Sequence, residues 1–255
     1  MLSISPKKEI PKITTWLKKT FTKTKQLKVV VGLSGGLDSA VVAYLAVRAL
    51  APKDVICVKL PYKTSSRSSI IDADRVIKLL GVESREIDIT DIAKSFGKKL
   101  EVGDPTRFGN IMARIRMTIL FDIAAENNAV VLGTSNKSEL LLGYGTLHGD
   151  LASIINPIAG FYKSQIRLLA EHLGVPGEII EKTPSADLFE GQTDENDLGF
   201  SYKQADEIMF SIFDEKNSKI KTTNLGYDMD DINEVLLRVE TNKFKGEVPY
   251  KYEYK

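Results

Sequence analysis

Cysteine is almost absent: Cys57 is the only one in 255 residues, and there are just two histidines and one tryptophan. A lone cysteine excludes an intramolecular disulfide framework and a cysteine zinc cage, and it fits a reducing compartment. Charge of one sign is also lacking: 35 basic residues face 34 acidic ones, a net +1. That balance argues against a protein that holds nucleic acid electrostatically. No apolar run is long enough to span a bilayer, and the Lys-rich, polar start is unlike a signal peptide, so a cytoplasmic protein without a membrane partner is expected. Gly (18) and Pro (9) are too few for a low-complexity chain. What remains is ordinary for a globular protein, 43% hydrophobic and 27% charged, with enough chain for a sizeable core.

Hydrophobic periodicity orders the chain. Ile10, Ile13, Leu17 and Phe21 form a helical stripe, with Ser5 and Pro6 suited to its cap and first position. Its other face is rich in lysine and reads as solvated. Leu27–Leu33 reads as a buried strand, Ser39–Leu50 as a helix apolar nearly all round, and Val55–Leu60 as a second strand stopped by Pro61. A helix from Ile70 to Leu80, closed by Gly81, precedes a third strand, Arg85–Ile89. A helix from Asn110 to Glu126 precedes a fourth, Ala129–Gly133. This alternation predicts an α/β fold: a doubly wound parallel sheet with helices on both faces. Another helix runs from Lys163 to Leu173, and the last 55 residues form a helical C-terminal region. No clean domain boundary appears, so one domain is expected: an N-terminal helix (1–26), a nucleotide-binding α/β core (27–200) and the helical region (201–255). Ligands of such sheets bind beyond the strand carboxyl ends, here the loops after Leu33, Leu60 and Gly133.

The sharpest motif lies in the first of these loops. Ser34-Gly35-Gly36-Leu37-Asp38-Ser39 sits between a strand and a helix. Two glycines permit positive φ and close approach of a ligand. Successive N–H groups backed by a helix N-terminus make an anion nest. Ser34 and Ser39 add hydroxyls, and Asp38 suits a magnesium ion bridging phosphate oxygens. A bulkier residue at Gly35 or Gly36 is expected to block the phosphate while sparing the core. The motif is neither a Walker loop nor G-x-G-x-x-G.

The loop resembles the S-G-G-x-D-S loop of the ATP pyrophosphatase superfamily, whose members split ATP between the α and β phosphates. Later segments are similar to those of one branch, the NAD synthetases. Asn110 to Met117 resembles N-x-x-A-R-x-R-M, and Leu132 to Glu139 resembles V-G-T-x-x-x-x-E. Asn156-Pro157 with Lys163 resembles N-P-x-x-x-x-x-x-K, and Pro184-Ser185-Ala186-Asp187-Leu188 resembles P-[ST]-A-D-L. The motifs occur in family order over roughly residues 29–200.

The resemblance implies an adenylating ligase: ammonia-dependent conversion of deamido-NAD to NAD, with ATP as co-substrate yielding AMP and pyrophosphate, in a homodimer. It implies an ATP site at Gly32, Leu33, Ser34, Gly35, Gly36, Leu37, Asp38, Ser39, Thr134, Lys163 and Ser185. It places the Mg2+ cofactor at Asp38 and Glu139, and deamido-NAD at Arg114, with Asp150 as a further contact. No protein nucleophile is expected, because the substrate carboxylate fills that role. Arg114 and Arg116, two apart on a helix, face different ways, so one of them is expected to reach the substrate. The chain departs from the family at Leu147 and Ile154, where many members carry Lys and Asp, and at Phe244-Lys245, where they carry His-Lys. His148 and Asp150 are candidates to compensate.

Glutamine-using relatives carry an amidase domain with a catalytic cysteine. Here the phosphate loop begins at Ser34, leaving no room before it, and Cys57 sits mid-strand, so free ammonia is the expected nitrogen source. Tyr62–Ser69 and Lys182–Gly199 are candidate lids. Trp16 reads as a packing residue and His172 as a packed or surface one, and the apolar face from Ile111 to Ile123 reads as core or interface. The alternatives are another superfamily enzyme, such as a tRNA-modifying one, which usually needs paired cysteines, and a non-catalytic adenine-nucleotide sensor, which two metal carboxylates disfavour.

Overall fold

The structure is a computed structural model that describes residues 2–185, 193–250 and 252. Helix α1 (Pro6–Thr24) leads into β1 (Lys28–Gly32), α2 (Leu37–Ala49), β2 (Val55–Lys59), α3 (Arg67–Leu80) and β3 (Glu83–Glu86). Then come α4 (Thr90–Lys99), α5 (Pro105–Glu126), β4 (Ala129–Leu132), α6 (Lys137–Leu142) and α7 (Lys163–Leu173). Short helices α8 (Gly177–Glu181) and α9 (Asp194–Leu198) precede α10 (Tyr202–Met209), α11 (Lys219–Thr222) and α12 (Met229–Asn242).

The sheet is parallel, in the order β3-β2-β1-β4. The chain builds outward from β1 through β2 to β3, then returns to place β4 on the other side of β1. Crossing both faces buries the strands on both sides, which is why β1 and β2 are continuous β-branched runs rather than alternating ones. Val29 and Val31 join Leu45, Ile166 and Leu169 under α1, α2 and α7. Val30, Ile56 and Val131 face the other way, against Ile123 and Ala124 of α5. Each such valine, leucine or isoleucine contributes roughly 1.5–3 kcal/mol by leaving water. The face from Ile111 to Ile123 is therefore largely core: Met112, Ala113, Ile115 and Ile123 are buried.

Element ends differ from expectation in physically legible ways. The third strand covers Glu83–Glu86, not Arg85–Ile89. Its partner β2 ends before Pro61, so beyond Glu86 only alternate N–H groups pair: Ile87 and Ile89 donate to the carbonyls of Lys59 and Pro61, both at 2.9 Å. Helix α5 starts five residues earlier than its apolar pattern, because Asp104 caps it, accepting from Arg107 N at 2.6 Å, and Pro105 suits the first turn. Within the aperiodic stretch 182–199, Thr193 caps the short helix α9. Trp16, expected to pack, lies on the outer face of α1, 47% exposed.

A second apolar cluster lies away from the sheet. Tyr202, Ala205, Ile208 and Met209 of α10 meet Ile232 and Val235 of α12, together with Leu142, Tyr162, Leu198 and Phe200. The C-terminal helices are thereby fastened to α6 and to the start of α7, both of which border the loop after β4.

Leu17, fully buried between α1 and the sheet-side cluster, borders no part of the cavity described below. Leu17→Ala should cost about 2–5 kcal/mol and lower Tm by on the order of 5–15 °C. Thermal melts with ATP titration check this; unchanged ATP affinity in the folded variant is the expected companion result.

Candidate functional site

The loops after β1, β2 and β4 border one cavity of about 880 Å³. Its wall includes Gly32, Leu33, Ser34, Gly36, Leu37, Asp38, Ser39, Thr134, Glu139, Asp150, Lys163 and Ser185. Of the residues expected at the site, only Gly35 and Arg114 are not part of that wall.

The β1 loop is braced by its own hydroxyls. Ser39 Oγ donates to Gly36 O at 3.0 Å and accepts from Ser34 N at 3.3 Å, while Gly36 N donates to Ser34 Oγ at 3.2 Å. The two glycines play different parts, which corrects the expectation that they are equivalent. Gly35 has φ +79°, and a Cβ there would lie 2.0 Å from the Ser69 carbonyl oxygen. It lets the loop touch α3 rather than a ligand. Gly36 has φ −92°, and its Cβ would meet only Ser34 Oγ, at 3.2 Å. Gly36 is the glycine that faces the cavity.

Asp38 and Glu139 converge, although 101 positions separate them in sequence. Lys163 lies between them: its Nζ pairs with Asp38 and stands 3.3 Å from Glu139. All three side chains are nearly buried, at 15%, 15% and 6% exposure. Asn136 orders the group, donating Nδ2 to Asp38 at 3.0 Å while capping α6 by accepting from Glu139 N at 3.0 Å. Burial, and then the nearby Asp38 charge, push the Glu139 carboxyl well above the usual carboxylate range. Burial works against the Lys163 charge, but Asp38 and Glu139 outweigh it and hold the ammonium above its ordinary value. Asp194 stands close by, raised by burial and held by the hydroxyls of Tyr144 and Tyr202, both at 3.1 Å.

At the other end, the loop 143–150 closes the cavity. Thr146 N donates to Asp150 at 2.9 Å, and its hydroxyl donates to Asn110 at 2.7 Å. Burial of the Asp150 carboxyl raises it, although solvent in the cavity still reaches the residue; Thr146 and Lys245 pull it back. Arg114 lies outside, exposed, its Nε donating to Leu147 O at 3.3 Å. Arg116 points inward to the wall and donates to Leu60 O at 3.1 Å. Ile154 is 57% exposed. His148 is exposed at φ +58° and His172 is exposed as well.

Lys245 reaches the wall and donates to the carbonyls of Gly143 and Gly145 at 2.6 and 3.1 Å. Arg238, Tyr144 and Lys182 line the cavity too. Sequence reasoning placed Lys182 only at the start of a candidate lid and missed Arg238 and Tyr144, because no motif marks either α12 or the position of Tyr144. Ala186, Asp187 and Leu188, of the P-[ST]-A-D-L segment, lie outside the described residues, as does part of the expected lid 182–199. Among the described residues no helix is long and apolar enough to cross a membrane.

A parallel sheet with a glycine turn after β1, and with two carboxylates and a buried lysine gathered beside that turn, has the architecture of an α/β enzyme of the ATP pyrophosphatase kind. The chain matches the NAD synthase family over residues 9–249, and it belongs to that family. It is 47% identical to the NH3-dependent NAD+ synthetase of Chlorobium phaeobacteroides over 221 residues, 87% of this chain and 80% of the relative. The solved NH3-dependent NAD synthetase of Campylobacter jejuni, in complex with nitrate, superposes with a TM-score of 0.84 at 36% identity, covering 98% of this chain and all of that one. The solved NMN synthetase of Francisella tularensis gives 0.87 at 30% identity, covering 99% and 100%.

The glycines supply the test of the loop. Gly35→Ala should distort the loop, with positive φ alone costing about 1–2 kcal/mol, so Tm and ATP binding should both fall. Gly36→Ala should keep Tm within a few degrees yet weaken ATP by about tenfold or more, ~1.4 kcal/mol. Melts and ATP titrations read both; normal ATP binding by Gly36→Ala would remove this loop from the phosphate site.

Proposed function

We propose that the chain amidates deamido-NAD with ammonia, consuming ATP and releasing NAD, AMP and pyrophosphate, and that the residues described above carry the reaction. The observation that supports this most is the convergence of Asp38, Glu139 and Lys163 at the lip of the anion nest, in a cavity that continues to Asp150. One end suits a polyphosphate, and the other has room for a second nucleotide.

Amidating a carboxylate with ammonia needs a better leaving group than oxide. In the proposed sequence a carboxylate oxygen of deamido-NAD attacks the α-phosphorus of ATP, and the bond to pyrophosphate breaks. Ammonia then attacks the carbonyl carbon; the C–O bond to AMP breaks, and the nitrogen loses a proton. The chain's contribution is placement and charge. The β1 loop N–H groups and the N-terminus of α2 receive phosphate oxygens. Thr134 and Ser185 border the nucleotide, and Lys163 offsets the growing charge on the departing pyrophosphate. Arg114 and Asp150 are proposed on the acceptor side. Arg114 would act from the outer edge of the 143–150 loop.

Asp38 and Glu139 fit magnesium. They are two hard oxygen donors already gathered around a cation, and magnesium takes few carboxylates and keeps several waters. Held by Asp38 and Glu139, magnesium would supply positive charge that stabilises the leaving group. The lids Tyr62–Ser69 and Lys182–Gly199 are proposed to exclude water from the adenylate. In support, Lys182 Nζ already ties the second to α3, donating to Ser69 Oγ at 2.9 Å and Asp72 at 2.8 Å.

Cys57 gives no route to glutamine. It is fully buried in β2, and burial pushes its thiol up to about 12, so it does not form the thiolate a glutaminase needs. The proposal extends to a cytoplasmic homodimer of one domain per chain. A free thiol fits a reducing compartment, and an apolar hollow bordered by Phe121, Ala125 and Ile154 beside β4 suits a partner surface.

The deciding assay supplies ATP, magnesium, ammonium and deamido-NAD, and reads NAD and AMP together. Nicotinate mononucleotide is run beside it, because one of the similar structures is an NMN synthetase and Leu147 and Ile154 are apolar. Equimolar NAD and AMP, with no product from ammonia-free glutamine, is the expected result; AMP-free ATP binding would favour a sensor. Asp38→Asn and Glu139→Gln should each lose most turnover, about 100-fold or more for an electrostatic role, and require more magnesium. A wild-type magnesium titration in both variants would sink the metal assignment.

A further inference from the structure

Arg238 is a cation of this cavity to which the proposed chemistry gives no role. It sits on the inner side of α12, half-buried, and lines the wall beside the 143–150 loop. Its Nε has no solvent exposure and no hydrogen-bond partner, and among the described residues no carboxylate forms an ion pair with its guanidinium.

Its surroundings make that situation worse for the empty protein. Lys245, which reaches the same wall, is depressed by burial and then by the Arg238 charge, with Asp150 opposing. Two cations therefore share a partly dehydrated wall. An uncompensated buried charge is strongly unfavourable, and fixed donors without acceptors are costly to keep. An anion seated there would pair the buried Nε and offset the charge that Arg238 and Lys245 share. A guanidinium is also the side chain that matches carboxylate or phosphate geometry with paired donors.

The position decides which molecule brings the anion. The ATP phosphates have their own receptor at the β1 loop, with Lys163. Arg238 lies beside Lys245, which Asp150 also influences, and one helical turn before Asn242, whose side chain lies against Gly143. That is the end closed by Thr146 and Asp150. We propose that Arg238 receives an anionic oxygen of the acceptor nucleotide, either the pyridine carboxylate or a diphosphate oxygen, and so sets the affinity for the acceptor rather than for ATP. This rests on the amidation reading above.

Two variants test it. Arg238→Met removes the charge and keeps the stem; Arg238→Lys keeps the charge and loses the planar fork. With Arg238→Met, the melting temperature of the ligand-free protein should stay the same or rise, because an unpaired cation has been removed. The KM for deamido-NAD should rise tenfold or more with the KM for ATP unchanged, and the thermal shift given by deamido-NAD should shrink. Arg238→Lys should recover part of the affinity. Inhibition by NAD separates the two sources of negative charge. If it weakens in parallel, the diphosphate is the partner; if it is unchanged, the carboxylate is, since NAD carries an amide there.

Three results would overturn the assignment: a fall of several degrees in the ligand-free melting temperature with unchanged KM, failure of both variants to fold, or a rise in the ATP KM alone. A wild-type protein that makes no NAD indicts the amidation reading. A wild-type protein that makes NAD while Arg238→Met does so with unchanged KM indicts only this inference.

Discussion

The site depends on one electrostatic arrangement: a buried ammonium, Lys163, held between two carboxylates that the chain delivers from distant segments. Asp38 arrives in the first turn of α2, Glu139 in the first turn of α6, and Lys163 opens α7. Removing any of them would leave charge buried and uncompensated, which costs far more than an intact pair contributes. This pairing therefore sets the relative positions of three helices at the carboxyl ends of β1 and β4. The N-terminus of α2 also directs partial positive charge toward the cavity.

The sheet order explains why those segments can meet. With β1 central and β2 and β4 on its two sides, the loops after all three open at one edge, and the change of direction beside β1 leaves a crevice there. Gly35 tightens that edge by allowing the β1 loop to lie against the Ser69 backbone. Lys182 then ties the segment after α8 to the same end of α3. The floor of the cavity is set by hydrogen-bonded sheet, and its walls by loops that are braced but not buried.

Much of this was legible in the residues. The continuous apolar runs at 29–31 and 55–58 report burial on both faces, and the Ser34–Ser39 loop reports its own chemistry. Thr134, Glu139 and Lys163 were legible only through resemblance, because no local pattern makes a lysine at 163 meet an aspartate at 38. The unequal glycines were not legible: composition is identical at 35 and 36, and only the approach of Ser69 separates them. The two arginines of α5 could be read as facing different ways, but which one reaches the cavity depends on where Leu60 and Leu147 end up. Arg238 was invisible, since an arginine on an amphipathic helix normally reads as solvated surface.

The C-terminal helices are where that blindness matters most, because they look like a separate appendage and are wired into the site. Asp206 of α10 is fully buried and accepts from Ser138 Oγ at 2.5 Å, Ser164 N at 2.8 Å and Ser164 Oγ at 2.7 Å. Ser138 Oγ in turn accepts from Lys163 N at 2.8 Å. One carboxylate thus joins the first turns of α6 and α7, the helices that carry Glu139 and Lys163. Burial raises the Asp206 carboxyl, and the donors from Ser138 and Ser164 offset that effect. Its position at two helix N-termini also favours the charged form. Displacing α10 would free both first turns at once, so Glu139 and Lys163 depend on a helix that contributes no residue to the cavity wall beside them. The apolar contacts of Ile208 and Met209 with Ile232 and Val235 hold α12 against the same helix. The segment carrying Arg238 is therefore positioned by the packing that positions Glu139, and the two ends of the cavity are mechanically one unit.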